Sequence, residues 1–191
     1  MELEDAIFAR RAVREYTDES ISRGVLKKLI VAAVQAPSAV NEQPWIFTVV
    51  QDRALLATLS REAKIHLLRS TPTSLAPNHL RALLEEPAFD ILYHAPVLIV
   101  ISSTTPGNWA VENCSLAAQN LMLTAHAAGL GSCWIGFAQP WLATQEGKMA
   151  LQISPTSYPV APIIVGRVRV APMPVPRSEP RINWIGPPTN Q

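Results

Sequence analysis

Three arginines lie close together near the start of the chain, where they could bind an anion. Arg10, Arg11 and Arg14 fall within five positions, and Tyr16 follows them. A guanidinium group stays positively charged and presents a planar fork of N–H donors, which suits a phosphate group. The spacing therefore predicts a phosphate-binding cluster. A solvated basic helix end is the alternative, because arginine also interacts favourably with the negative end of a helix dipole.

A second candidate site is the polar segment that two prolines enclose. Between Pro37 and Pro44 the chain presents Ser38, Asn41 and Gln43. Hydroxyl and amide groups are neutral donors and acceptors, and they suit the edge of a flat heteroaromatic ligand with alternating C=O and N–H groups. The alternative is an ordinary helix-to-strand connection, since the same residue types are common in turns.

Several other kinds of site are excluded by the sequence. It contains no GxSxG nucleophile motif, and its four histidines form no pair at i,i+4 spacing that would suggest a metal site. Gly129 and Gly131 begin a segment like a dinucleotide-binding loop. However, Trp134 stands where the third glycine belongs, and the segment follows a predicted helix, so we reject that interpretation.

The length and composition of the chain indicate what kind of protein positions these side chains. The chain has 191 residues, close to one domain, with 48% hydrophobic and only 16% charged residues. The net charge is only +1, which is too small to attract a polyanion, so we do not expect nucleic acid as a partner. The longest apolar stretch, at 95–101, is too short to span a bilayer, so no membrane association is expected. Cys114 and Cys133 form no disulfide framework, and an acidic N-terminus is unlike a signal peptide, so we expect a cytoplasmic protein.

Hydrophobic periodicity predicts alternating helices and strands. The apolar run at 95–102 is continuous, which is typical of a strand buried on both faces. A helix at 108–128 is apolar around most of its circumference and must be covered on nearly every side. The other predicted elements are a short helix ending near residue 11, helices at 22–36, 53–68 and 79–86, a loop at 70–78, and strands at 45–50, 132–137 and 160–170.

The composition changes after residue 170. Six prolines occupy the last 21 residues, together with Ile182, Trp184 and Ile185. Proline interrupts both helices and strand ladders, so we predict an extended arm at 171–191 that follows a folded domain at 1–170. The apolar side chains indicate that the arm packs on another surface, and we expect that surface to belong to a partner subunit. A disordered tail with an apolar patch is the alternative.

Four segments, in this order, resemble the nitroreductase family of FMN-dependent oxidoreductases. They are 10–16 (RRAVREY), 36–45 (APSAVNEQPW), 117–137 (AAQNLMLTAHAAGLGSCWIGF) and 159–166 (PVAPIIVG). The resemblance implies an α+β fold with a central, mostly antiparallel sheet flanked by helices, built as an intertwined homodimer. The long apolar helix would then lie at the dimer interface, and the arm would wrap the partner.

The resemblance also implies which residues bind FMN. The matched positions are Arg10, Arg11 and Arg14 at the phosphate and ribityl side, Pro37, Ser38 and Ala39 against the partner's isoalloxazine with Asn41 and Gln43 beside them, Ile135 and Gly136 facing the flavin N5 region, and Arg181 returning to the phosphate. Two positions depart from the family pattern. Ala12 stands where serine is common, and Glu179 where lysine is frequent, and both changes are expected to weaken the phosphate site.

The activity implied by the resemblance is an FMN-dependent NAD(P)H oxidoreductase. It would reduce nitroaromatic or quinone-type small-molecule acceptors by a ping-pong hydride mechanism, with the flavin carrying the chemistry and no catalytic side chain. One alternative is a flavin-storage or redox-sensing protein with little turnover, which the two departures favour. Another is the same scaffold with a different reaction, such as dehalogenation.

Overall fold

The structure is a computed structural model that describes residues 1–70, 78–104 and 107–186. Most of the loop predicted at 70–78 therefore lies outside the described residues. The helices and strands are α1 (Leu3–Ala9), α2 (Arg23–Ala33), β1 (Trp45–Val50), α3 (Arg53–Ser70), α4 (Asn78–Glu85), β2 (Val97–Ser103), α5 (Ala110–Ala127), β3 (Leu130–Trp134), α6 (Gln139–Leu142), α7 (Gln145–Ala150) and β4 (Tyr158–Arg167).

The described strands form one sheet in the order β1-β2-β4-β3. Every pairing in it is antiparallel, which confirms the predicted α+β class with a mostly antiparallel sheet. The strand β4 lies at the centre although it is the last in the chain. The strand β1 forms one edge of the sheet.

The sheet is buried on both faces because helices cover each of them. Along β2, Val97, Ile99 and Ile101 pack in a cluster with α2 and α5, while Leu98 and Val100 pack in a second cluster with α3 and α6. Side chains alternate between the two faces of a strand, so a continuous apolar sequence is what two covered faces require. The prediction for 95–102 is confirmed, with the strand shifted to Val97–Ser103.

The helix α5 is covered largely by its own chain. Its residues Cys114, Ala117, Leu121 and Ala125 are fully or almost fully buried against α2 and the sheet. Leu116, on another side of the helix, remains about half exposed. Intrachain packing therefore explains much of the apolar circumference that the sequence analysis assigned to a dimer interface.

Element ends differ from the predicted ones where a turn intervenes. The strand β3 ends at Trp134, rather than continuing to 137, because a 3-10 turn follows at Gly136–Ala138. The short helices α6 and α7 are absent from the sequence prediction. No helix among the described residues is long and apolar enough to cross a membrane.

The segment 12–16 lies across one end of the sheet. The Val13 amide donates to the Ser132 carbonyl at 3.1 Å, and Thr17 donates to the Arg167 carbonyl at 3.0 Å. Beneath this segment, Gly131 of β3 is paired with Gly166 of β4. A Cβ on Gly131 would lie 2.7 Å from the Val13 side chain, and one on Gly166 would lie 2.6 Å from the Tyr16 ring. Two facing glycines thus make room for the segment.

The arm has no helix or strand at 171–186, and all of these residues are exposed. Trp184 is 84% exposed. The division at residue 170 stays a prediction, and residues 187–191 lie outside the described part of the chain.

Gly166→Ala should destabilise the folded protein by about 1–3 kcal/mol, because a methyl group would overlap Tyr16 and the Pro96 ring. Gly24→Ala is the matched control, since its nearest neighbour, the Ser22 hydroxyl, would lie 3.9 Å away. Urea unfolding of the two variants checks this. Equal midpoints would show that the segment 12–16 does not depend on the glycine pair.

Candidate functional site

The arginine-rich turn, residues 10–16, is held in place by hydrogen bonds at Val13 and Tyr16. Besides the bond from Val13 to β3, the Tyr16 hydroxyl donates to the Val13 carbonyl at 2.6 Å, and both residues are buried. Burial raises the pKa of Tyr16, so its hydroxyl stays protonated and continues to donate. The turn therefore holds Arg10 and Arg14 near Cys133 of β3, where burial raises the pKa of the thiol and the two positive charges partly oppose that increase.

Arg10 is part of a cationic cluster that includes a residue of the arm. Burial lowers the pKa of Arg10, and the positive charges of Arg177 and Arg11 lower it further. Like charges brought together repel one another, so a bound anion would be stabilised at this point. The cluster therefore fits an anionic group such as a phosphate.

Arg11 fits the helix-end alternative better than the anion site. Its guanidinium donates to the Phe8 carbonyl at 2.7 Å and to the Arg10 carbonyl at 2.8 Å, at the C-terminal end of α1. Carbonyls at this end of a helix lack intrahelical partners, and a basic side chain can satisfy them. The Arg11 Nε is buried and has no partner among the described residues.

Arg14 lines a small cavity with Tyr93 and the segment 133–137. Its guanidinium carbon lies 5.8 Å from the centre of the Tyr93 ring, within the range of a cation–π interaction. The cavity has a volume of about 140 Å³. Ligand pockets usually measure roughly 300–1,000 Å³, so this cavity is smaller than a typical ligand pocket.

The pair Ile135 and Gly136 has one backbone donor already in use. The Ile135 amide donates to the Pro162 carbonyl at 2.8 Å. Gly136 is exposed and has open space where a side chain would be. Of the two residues, Gly136 is therefore the candidate donor to a ligand that enters the cavity.

The loop at 37–43 forms a second group of candidate residues. Val40, Asn41 and Gln43 have φ values of 45°, 57° and 50°, in the left-handed region. Such conformations cost roughly 1–3 kcal/mol each and persist where the surroundings hold them. The Gln43 amide donates to the Ser38 hydroxyl at 3.0 Å, and the Ala39 amide donates to Asn113 Oδ1 at 2.9 Å. Pro37, Asn41 and Gln43 are exposed, so the loop presents polar groups outward.

The structure adds two residues to those predicted from the sequence. Arg177, rather than Arg181, is the arm arginine whose charge acts on Arg10, and Asn113 bonds the loop. Ala12 is half buried and forms a backbone bridge with Ser132, while Arg181 is exposed. The only sequence signal for Arg177 is that it is a second arginine in the same arm. The only signal for Asn113 is that it is a polar residue in an apolar helix.

The two thiols differ in their electrostatic surroundings. Burial raises the pKa of Cys114 to about 12. Burial also raises the pKa of Cys133, but the positive charges of Arg14 and Arg10 oppose that increase. Both cysteines are free and buried.

Comparison with known proteins shows which family the chain resembles. Residues 7–167 match the model of the Nitroreductase family. A protein of Methanothermobacter thermautotrophicus, named provisionally as an NADH dehydrogenase/NAD(P)H nitroreductase, is 33% identical over 71% of this chain. The match spans 61% of that relative's length.

Solved structures share the fold over nearly the whole chain. A nitroreductase with bound FMN from Bacteroides fragilis has a TM-score of 0.83 at 24% identity, covering 97% of this chain and 100% of that one. An iodotyrosine deiodinase bound to FMN and 3-iodo-L-tyrosine has a TM-score of 0.76 at 25% identity, with the same coverage.

The stability of the protein should fall as pH rises from 9 to 12. In that range the Cys114 thiol ionises in the unfolded chain but keeps its proton in the folded protein, so ionisation favours unfolding. One such group contributes at most about 1.4 kcal/mol per pH unit. Cys114→Ala should flatten this dependence more than Cys133→Ala, since Arg14 and Arg10 partly offset burial at Cys133. Urea unfolding across this pH range measures both slopes, and equal slopes would contradict the assigned role of the arginines.

Proposed function

The chain belongs to the nitroreductase family, and on that premise we propose that it is an FMN-dependent NAD(P)H oxidoreductase that reduces nitroaromatic or quinone-type acceptors. The observation that carries the proposal is the cationic cluster of Arg10 and Arg177 together with a small cavity lined by Arg14, Tyr93 and Gly136. An anionic tail and a flat ring are the two parts of FMN.

The residues present fit this cofactor in kind. Mutual repulsion between Arg10, Arg11 and Arg177 favours a phosphate dianion at the cluster. The Gly136 amide and the polar loop at 37–43 offer hydrogen-bonding groups of the kind that an isoalloxazine edge requires. When bound, the cofactor would supply two-electron redox chemistry between NAD(P)H and the acceptor, in two separate ping-pong half-reactions.

The chain's own contribution is binding and electrostatics. Arg10 and Arg177 would hold the phosphate, while Arg14, stacked over Tyr93, places a positive charge at the rim of the cavity. A positive charge at this position stabilises negative charge that develops on a neighbouring ring. Tyr93 and Phe137 line the same cavity and give it aromatic walls.

A homodimer completes the site in this proposal. The cavity of about 140 Å³ is too small for the whole cofactor. The edge strand β1 exposes Ile46 and Val49, and the arm exposes Ile182, Trp184 and Ile185. An exposed strand edge with apolar side chains invites pairing with another chain. The arm of one subunit therefore covers apolar surface of the other, and the loop at 37–43 closes the partner's site.

A cytoplasmic location stays a prediction, which the two unpaired cysteines support.

The visible absorption spectrum of the purified protein, before and after anaerobic addition of NADH or NADPH, tests the proposed function. Flavin bands that bleach, and that return on adding 4-nitrobenzoate or 1,4-benzoquinone, are expected. Re-oxidation by 3-iodo-L-tyrosine alone would favour dehalogenation, and bands that do not bleach would favour flavin storage. A protein that takes up no FMN would overturn the proposal.

Arg177→Ala should weaken FMN binding about tenfold, or about 1.4 kcal/mol, because the phosphate would lose a charge-assisted contact. Arg181→Ala is the matched comparison, since it removes the same charge from the same arm. Fluorescence titration of the flavin-free variants with FMN gives both affinities. A larger loss for Arg181→Ala would restore the assignment that the sequence resemblance implies.

A further inference from the structure

We propose that Asn113 is a positioning residue for the cofactor, which holds the loop at 37–43 in its binding conformation through the side-chain oxygen. The inference rests on the proposed function, because it concerns the loop that faces the flavin there. Asn113 lies on α5 and is 2% exposed. Its Oδ1 accepts a hydrogen bond from the Ala39 amide at 2.9 Å, across 74 positions of sequence.

The loop needs an anchor because its backbone conformation is unfavourable. Val40 is β-branched, and a branched residue in the left-handed region is a conformational outlier. Bonds within the loop define its shape, as between the Gln43 amide and the Ser38 hydroxyl, or between Gln43 Nε2 and Asn41 Oδ1 at 3.1 Å. They do not connect the middle of the loop to another element. The bond from the Ala39 amide to Asn113 connects it to α5.

The helix α5 is a rigid support for that bond. Cys114 and Ala117, the neighbours of Asn113 on the helix, are completely buried between α2 and the sheet. Their packing fixes the helix and thereby the position of the accepting oxygen. A binding group held by packed neighbours keeps its geometry better than one on a free loop.

The Asn113 side chain uses one half of its amide group. Its Nδ2 is buried and has no hydrogen-bond partner among the described residues. A buried donor without a partner is destabilising, so the oxygen is the atom that accounts for an amide at this position. This predicts that aspartate can replace it, since a carboxyl group keeps an acceptor oxygen in either protonation state.

Three variants separate this role from general stability. Asn113→Ala removes the acceptor, and Asn113→Asp retains it. Asn120→Ala is the control, because Asn120 lies on the same helix and donates to the Ala32 carbonyl of α2 at 3.3 Å, away from the loop. The readouts are amide hydrogen exchange at 38–43 in the flavin-free protein and FMN affinity by fluorescence titration. Asn113→Ala should speed exchange of the Ala39 amide and weaken FMN binding, each at least tenfold. Asn113→Asp and Asn120→Ala should stay within threefold of wild type.

Ala39→Pro provides a second test that leaves the core unchanged, in case Asn113→Ala does not fold. Proline lacks the donated N–H, and the preceding Ser38 already has the extended backbone that proline favours. It should weaken FMN binding to a similar degree. Unchanged exchange and affinity in Asn113→Ala, equal losses in Asn120→Ala, or no rescue by aspartate would overturn the positioning role while wild type still binds FMN. If wild type binds no FMN, the proposed function fails and this role fails with it.

Discussion

The close approach of the segment 12–16 to the sheet is the constraint on which the candidate site depends. Gly131 and Gly166 face each other across β3 and β4, and the side chains of Val13 and Tyr16 occupy the space that two Cβ atoms would need. With the segment seated there, the Tyr16 hydroxyl can reach the Val13 carbonyl. Arg10 and Arg14 are then carried to opposite ends of one short turn beside Cys133. Without this packing of Val13 and Tyr16 against the sheet, the three neighbouring arginines would form only a basic surface patch.

The helix α5 supports the other half of the site. It packs on the sheet face opposite to the arginine turn and holds the loop at 37–43 through Asn113. Each chain thus attaches both groups of candidate residues to the same sheet, the arginines at its edge and the loop through a helix. Core packing fixes each group within its own chain, while in the proposed homodimer the loop of one subunit meets the arginines of the other across the subunit interface.

Some features of this arrangement could be predicted from the sequence, and others could not. A continuous apolar run predicted that β2 is buried on both faces, because alternation disappears when both faces are covered. Prolines and serine marked the loop at 37–43. Periodicity could not reveal α6 and α7, which are too short to show a helical repeat.

The features that the sequence did not indicate are long-range. Local pattern does not show that Asn113 meets a residue 74 positions away. The choice between Arg177 and Arg181 depends on how the arm returns to the turn, which local pattern does not determine.

The order of the strands has a consequence for how the protein is made. Among the described strands, the central strand β4 at Tyr158–Arg167 is made last, and both β2 and β3 pair with it. Until it is made, β3 lacks its partner strand, and β2, which is apolar from Val97 to Ile101, can pair only with β1. Long-range pairing of this kind folds slowly and leaves aggregation-prone segments uncovered. A nascent chain that has made β2 but not yet β4 therefore exposes an apolar strand without its second partner, and the yield of folded protein should depend on chaperones and on the rate at which residues 104–167 are translated.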